Sequence, residues 1–151
     1  SLPRGEIGEI VVSGDHVLKG YLQGEGDRET KFEVDAERWH RTGDAGFLDA
    51  KGRLWLVGRC SARVEDTKGV LYPFTVECAA QIAANVHRTA VVSHAGRRIL
   101  LVETNTPMAP DALASLLTWA KLDEIRMVKQ IPVDKRHNAK VDYTRIHKLL
   151  C

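Results

Sequence analysis

The order of apolar and polar residues changes character near residue 60. Before it, short runs alternate with turn signals. Glu9 to Ser13 is β-branched and closed by Gly14-Asp15, which predicts a strand. Val17 to Leu22 is short and apolar, and Gln23 to Asp27, with two glycines, reads as a loop. Arg38-Trp39-His40-Arg41 leads into Thr42-Gly43-Asp44, which reads as a turn. Phe47-Leu48 and Leu54-Trp55-Leu56-Val57 flank Asp49-Ala50-Lys51-Gly52 and predict a hairpin, with Trp39 and Trp55 packing this β-unit.

Beyond residue 60 longer periods appear. Phe74 to Asn85 carries Val76, Ala79, Ala80 and Ala83 at helical spacing. Thr89 to Val92 and Ile99 to Val102 read as strands around a turn at His94 to Arg97. Asp111 to Lys121 follows Pro110 and predicts a helix whose core stripe is Leu113, Leu116, Leu117 and Ala120. Ile125 to Val128 reads as a strand, 134–140 as a polar loop, and Tyr143 to Leu150 as a helix. With Val64 and Val70 to Tyr72 counted as a hairpin, this half alternates β-β-α-β-β-α-β-α. This is an α/β alternation of elements.

Composition narrows the function classes. At 151 residues, 44% hydrophobic and 28% charged, the chain reads as a soluble globular protein of one domain or two small units. A formal net charge of +2 with no dense Lys/Arg run argues against nucleic acid. No apolar stretch approaches the roughly 20 residues needed to span a bilayer, and Ser1 to Gly5 lacks the apolar core of a signal peptide. Cys60, Cys78 and Cys151 are too few and too scattered for a disulfide framework or a zinc site. A reduced, cytoplasmic protein with an exposed thiol at Cys151 is expected. His16, His40, His87, His94 and His147 show no metal-ligand spacing, and no metal site is expected within the chain.

Four blocks carry chemistry. They are Gly8-Glu9-Ile10-Val11-Val12 with Gly20-Tyr21-Leu22, then Trp39-His40-Arg41-Thr42-Gly43-Asp44, then Gly58-Arg59, and finally Asn138-Ala139-Lys140-Val141-Asp142. In this order and spacing they resemble the C-terminal part of AMP-forming adenylating enzymes, the superfamily of acyl-CoA synthetases, luciferases and peptide-synthetase adenylation domains. The resemblance covers essentially the whole chain. It implies that 1–60 is the distal β-rich part of a large N-terminal adenylation domain. Residues 61–151 would be the small α+β mobile lid, with a hinge at Ser61. It implies Asp44 as the ribose-binding carboxylate, Arg59 as a second nucleotide contact, and Lys140 as the adenylation lysine. That lysine suits its task, because a compact cation between a carboxylate and the α-phosphate offsets the charge of both.

Departures from the family point to a subgroup. The hinge position is Ser61 where the family has Asp or Lys, and the glycine before the lysine is Ala139. Lys68 stands where acyl-CoA synthetases have a glycine that lets the thiol arm of CoA pass. Leu54-Trp55-Leu56-Val57-Gly58-Arg59, Arg63-Val64-Glu65, Leu71-Tyr72-Pro73 and Pro132-Val133-Asp134-Lys135-Arg136-His137-Asn138-Ala139-Lys140 resemble the bacterial beta-lactone synthetases of olefin biosynthesis. Those enzymes adenylate a β-hydroxy fatty acid, whose own hydroxyl then displaces AMP. His137 is a candidate base for that closure, with ordinary polar surface the favoured reading.

The resemblance further implies ATP/AMP and Mg2+ as cofactors and a small-molecule acid as substrate. The phosphate loop, the adenine and acyl pockets and most of the Mg2+ site are expected in an N-terminal region outside these residues. The isolated chain is therefore expected to be inactive, and its exposed β-unit to dimerise. An acyl-CoA or aryl-CoA ligase is the alternative within this chemistry. A non-catalytic adenylate-binding or interaction module is the alternative outside it.

Overall fold

In the computed structural model, which describes residues 2–18, 20, 26–83, 85–106, 109–133 and 141–150, the chain divides into two units, residues 1–62 and 63–151. The first is organised by one long strand. Strands β1 (Gly8–Ser13), β2 (Lys31–Val34) and β4 (Leu54–Arg59) all pair antiparallel with β3 (Glu37–Leu48). β1 takes one edge of β3, and β2 and β4 follow each other along the opposite edge. A single helical turn, α1 (Asp27–Thr30), leads into β2.

Two hairpins set the registers. β2 and β3 are joined through Asp35 and Ala36, both at positive φ (52° and 63°), the handedness that matches the strand twist. β3 and β4 are joined at the expected Asp49 turn. There one carboxylate collects the amides of Lys51 and Arg53 (both 2.9 Å), the Arg53 guanidinium (2.7 Å) and the Trp55 indole N–H (3.0 Å). That set of donors, the indole foremost, pulls the Asp49 carboxyl down to about 2. Trp55 remains half exposed and stacks on Phe47, so it covers the hairpin rather than filling a core. Trp39 stacks on Phe32.

The second unit is a three-stranded sheet covered on both faces. Strands β5 (Val64–Asp66) and β6 (Gly69–Leu71) form a separate hairpin, followed by helix α2 (Pro73–Ala80). The sheet has the order β7 (Val86–His94), β8 (Arg97–Thr104), β9 (Glu124–Val128). β7 and β8 are antiparallel, whereas β8 and β9 are parallel and connected through helix α3 (Pro110–Leu116). Leu71, Val76, Ala80, Val91, Leu100, Val102, Leu113, Leu117 and Ala120 bury one face. Ala90, Val92, Ile99 and Leu101 close the other with Ile131 and with Ile146 of helix α4 (Tyr143–Leu150). Burial on both sides is why these strands read as continuous apolar runs rather than alternating ones.

Three expectations change. Thr42-Gly43-Asp44 is not a turn but part of the continuous strand β3. The helix expected over 74–85 ends at Ala80, where three-residue bonds from Ile82 to Ala79 and from Ala83 to Ala80 tighten the chain and Asn85 turns to φ 69°. The helix expected over 111–121 breaks at Leu117 and continues as a 3-10 turn, Thr118–Ala120. Leu113, Leu117 and Ala120 stay buried, but Leu116 is left 44% exposed and is not part of the core stripe.

Candidate functional site

Asp44 owes its position to a bulge. In the pairing of β1 with β3, Glu9 faces Ala45 and Val11 faces Arg41, so Thr42, Gly43 and Asp44 together oppose the single residue Ile10. Gly43 absorbs the extra length at φ 74°. The Thr42 hydroxyl closes the bulge by donating to the Ile10 carbonyl (2.7 Å) and accepting from the Asp44 amide (3.1 Å). Arg41, just before it, donates through Nε and Nη2 to Glu9 Oε2 across the strands. A second close approach follows at Gly46, where a Cβ would lie 2.6 Å from the Trp55 carbonyl oxygen and 2.9 Å from Ile10 Cδ1.

The ladder then brings Asp44 opposite Arg59. Arg59 Nε lies 3.0 Å from Asp44 Oδ1, and its Nη1 donates to the Thr42 carbonyl at 3.0 Å. One guanidinium thus fixes both the bulge and the carboxylate in it. The Asp44 side chain is 32% exposed, and its second oxygen makes no hydrogen bond among the described residues. A half-exposed, arginine-oriented carboxylate with a spare oxygen is suited to accept hydrogen bonds from vicinal hydroxyls. Ser61 lies in an exposed 3-10 turn, Cys60–Ala62, where the two units adjoin in sequence.

Lys68 sits at the tip of the β5–β6 hairpin and is tied down. Its ammonium lies 2.5 Å from Asp123 Oδ1 and donates to the Lys121 carbonyl (3.3 Å), while Lys121 Nζ donates to the Lys68 carbonyl (3.3 Å). The hairpin is held at its turn end, where Asp66 faces Gly69, by Arg98, which is only 2% exposed. Arg98 grips Asp66 with Nε and Nη2 (both 2.7 Å) and donates to the Ala120 and Gly69 carbonyls. The Arg98 guanidinium holds the Asp66 carboxyl below the usual range, and Lys68, with the Arg98 amide, does the same for Asp123. In sequence, Arg98 looks like a surface charge beside an apolar run. Its burial depends on carbonyls from remote segments, which no local pattern reveals.

Lys140, with His137 and Asn138, lies in 134–140, outside the described residues. Val133 bridges Val141, and the Asp142 amide donates to the Pro132 carbonyl (2.9 Å). Asp142 then caps α4, its Oδ1 accepting from the Arg145 amide (3.0 Å). Among the described residues no group of three His, Cys, Asp or Glu is placed to hold a metal ion. Nor is any helix among them long and apolar enough to cross a membrane.

No family model matches the chain. It is 36% identical over 156 residues to the olefin beta-lactone synthetase of Stenotrophomonas maltophilia (strain K279a), a match covering 91% of this chain and 28% of that protein. The olefin beta-lactone synthetase of Xanthomonas campestris pv. campestris is 34% identical over 163 residues, with 93% and 29% covered. The 2-succinylbenzoate–CoA ligase of Enterococcus faecalis is 36% identical over 90 residues, 60% of this chain and 18% of that one. The amide bond synthetase McbA from Marinactinospora thermotolerans shares the fold, with a TM-score of 0.77, 23% identity, and 99% of this chain and 32% of that chain covered. ATP-bound MatB from Rhodopseudomonas palustris superposes with a TM-score of 0.73 at 25% identity, covering 98% and 31%.

The chain belongs with the adenylate-forming enzymes. Within this group it matches beta-lactone synthetases and CoA ligases alike, and its fold is that of their C-terminal portion. It spans under a third of the length of the curated relatives that it matches first.

Proposed function

We propose that this chain is the part of an AMP-forming acid ligase that holds the ribose of ATP through Asp44 and Arg59 and supplies Lys140 as the adenylation lysine. The observation that carries the reading is the bulged Thr42-Gly43-Asp44 segment, with Asp44 oriented by Arg59 and one carboxylate oxygen open to a diol. The chemistry is a two-step exchange. A substrate carboxylate oxygen attacks the α-phosphorus of ATP, the bond to the β-phosphate bridge breaks, and pyrophosphate leaves. Lys140 offsets the negative charge gathered at that phosphorus. Ser61, within two residues of the division between the two compact units, serves as the hinge between the proposed domains 1–60 and 61–151, so that Lys140 enters for this step and withdraws for the next.

For the second step the reading favours a β-hydroxy fatty acid. Its hydroxyl oxygen attacks the activated acyl carbon and AMP leaves with the acyl C–O bonding pair. The hydroxyl proton passes to solvent or a base such as His137, and a β-lactone forms. The two beta-lactone synthetase relatives and the lysine at position 68 support this. The matches to CoA ligases favour CoA thioester formation as the second reading. Mg2+ would neutralise the departing pyrophosphate from groups outside the described residues. A cytoplasmic location belongs to the same reading, on its few scattered cysteines. A non-catalytic adenylate-binding module is the outcome if no ligase activity is found.

The test uses the full-length protein encoded by the gene, with ATP, Mg2+ and 3-hydroxy fatty acids. We expect pyrophosphate release and a lactone product without CoA. Release only when CoA is present, ending in a thioester, would replace the lactone reading. Absence of acid-dependent pyrophosphate release would overturn the ligase reading altogether. Residues 1–151 alone should release no pyrophosphate. Their exposed Phe32, Val34, Leu54, Trp55 and Leu56 support self-association of that isolated chain, which sedimentation would detect.

A further inference from the structure

The residues on either side of 134–140 are fastened to the sheet by two glutamates with no role in the reading above. Glu103, on the central strand β8, is 7% exposed, and its Oε2 accepts from the Ile131 amide at 2.7 Å. His87 Nε2 and Arg88 Nη1 stand farther off, at 3.6 and 3.8 Å from its two oxygens. Ile131 is fully buried beside Ile146 and begins the limb that runs through Pro132 to Val133. Glu77, on α2, fastens the other limb. Its Oε1 accepts from the Val91 amide on the edge strand β7 (2.9 Å) and from the Tyr143 hydroxyl (3.3 Å). The two limbs are joined directly by the Val133–Val141 bridge and the Asp142-to-Pro132 hydrogen bond.

Burying a carboxylate costs free energy that an apolar residue would not. Both carboxylates spend their hydrogen bonds on these limbs and on the strand edge beside them. One limb is thereby tied to β8 and the other to β7, on either side of a seven-residue span, 134–140. A group that must sit between two reacting anions loses most of its effect when displaced by about 1 Å, so its supports need to be as fixed as the group itself.

We infer that Glu103, and Tyr143 through Glu77, are positioning residues for Lys140: they hold the residues flanking 134–140 on the sheet and so set the rate of adenylation. This rests on the reading of Lys140 as the adenylation lysine.

The test compares Glu103→Ala, Glu103→Gln and Tyr143→Phe in the full-length protein, with Lys140→Ala in parallel. Two half-reactions are measured: acid-dependent pyrophosphate exchange, and conversion of a chemically supplied acyl-adenylate. Glu103→Ala should slow exchange roughly 10–100-fold, with KM for ATP within about twofold and the acyl-adenylate step unchanged. Glu103→Gln keeps an oxygen facing the Ile131 amide and should recover most of the rate. Tyr143→Phe removes one hydroxyl and should slow exchange several-fold. It remains informative if Glu103→Ala does not fold. Equal loss in both half-reactions would make the two groups merely structural and overturn the inference. Wild-type exchange in Glu103→Ala and Tyr143→Phe, with exchange abolished in Lys140→Ala, would overturn the positioning and leave the lysine's role standing. Wild-type exchange in Lys140→Ala would overturn both.

Discussion

Gly43 and Gly46 lie three residues apart in one strand, yet substitution should damage them by different physics. At Gly43 the obstacle is conformation. A Cβ would meet only Arg59 Nη1, at 3.6 Å, an ordinary contact, but the backbone sits at φ 74°. Placing an L side chain in that region costs about 1–2 kcal/mol, and less for asparagine. At Gly46 the φ is ordinary and the obstacle is space. The Cβ would lie 2.6 Å from a backbone oxygen of the neighbouring strand and 2.9 Å from Ile10 Cδ1. Backbone cannot rotate aside, so β3 and β4 must part where Gly46 faces Leu56, two residues along β3 from Asp44. Forced overpacking of this kind costs about 1–3 kcal/mol, and here the lost ladder bonds add to it. The expected order of destabilisation is therefore Gly46→Ala, then Gly43→Ala, then Gly43→Asn. Urea unfolding followed by tryptophan fluorescence measures it. A Trp119→Phe background leaves Trp39 and Trp55, both in residues 1–62, as reporters. With a slope of about 1–2 kcal/mol per molar urea, Gly46→Ala should shift the midpoint by about 1 M or more. A Gly46→Ala protein that unfolds with the parent, or a Gly43→Asn protein less stable than Gly43→Ala, would refute this account of the bulge.

Three other predictions concern single side chains. Burial raises the Glu77 carboxyl above its ordinary value, so between the unfolded and folded pKa the native state binds more protons and stability falls as pH rises. Glu77→Gln keeps the acceptors for Val91 and Tyr143 and should match or exceed the parent's Tm at pH 7, the difference vanishing toward pH 4. Arg98→Leu strands Asp66 and the Ala120 carbonyl and should lower Tm by more than about 5 °C. It should also flatten acid lability, because the stability that Asp66 gains from Arg98 is present above the ordinary carboxylate pKa and lost as pH falls through the lowered one. Asp44→Asn in the full-length protein should raise KM for ATP about tenfold or more, and an unchanged KM would remove Asp44 from the nucleotide site.

Some of this architecture is plain in the residues and some is not, for identifiable reasons. The runs at 89–92 and 99–102 announce themselves because both sheet faces are covered, so no polar position interrupts them. The Asp49 hairpin is legible because its carboxylate and Gly52 do local work. Thr42-Gly43-Asp44 misleads because a turn and a bulge use the same ingredients, a glycine at positive φ and a hydroxyl that closes on the backbone. Only the opposing strand β1 decides between them. Strand β2 escapes notice because its hairpin uses Asp35-Ala36, with neither glycine nor asparagine at the tight positions. The early helix ends at Ala80 and Leu116 carry no glycine or proline to mark them. In the candidate site, Asp44 and Arg59 emerge from the resemblance and prove to be cross-strand neighbours. Glu103 and Arg98 do not emerge, because the groups that they hydrogen-bond through their side chains, the Ile131 amide for one and Asp66, Gly69 and Ala120 for the other, lie at least 22 residues away.

The ladder that seats Asp44 opposite Arg59 has a consequence for the thermodynamics and timing of recognition. Side chains on flexible loops must be ordered when a ligand arrives, and each ordered side chain subtracts from affinity. Here the carboxylate is aimed beforehand by strand register, a glycine at the bulge and a guanidinium that also holds the Thr42 carbonyl. In the ribose site proposed above, a diol meeting that oxygen would find the geometry already set, so the contact would cost little entropy at Asp44. Its formation need not wait on a rearrangement of β3 or β4.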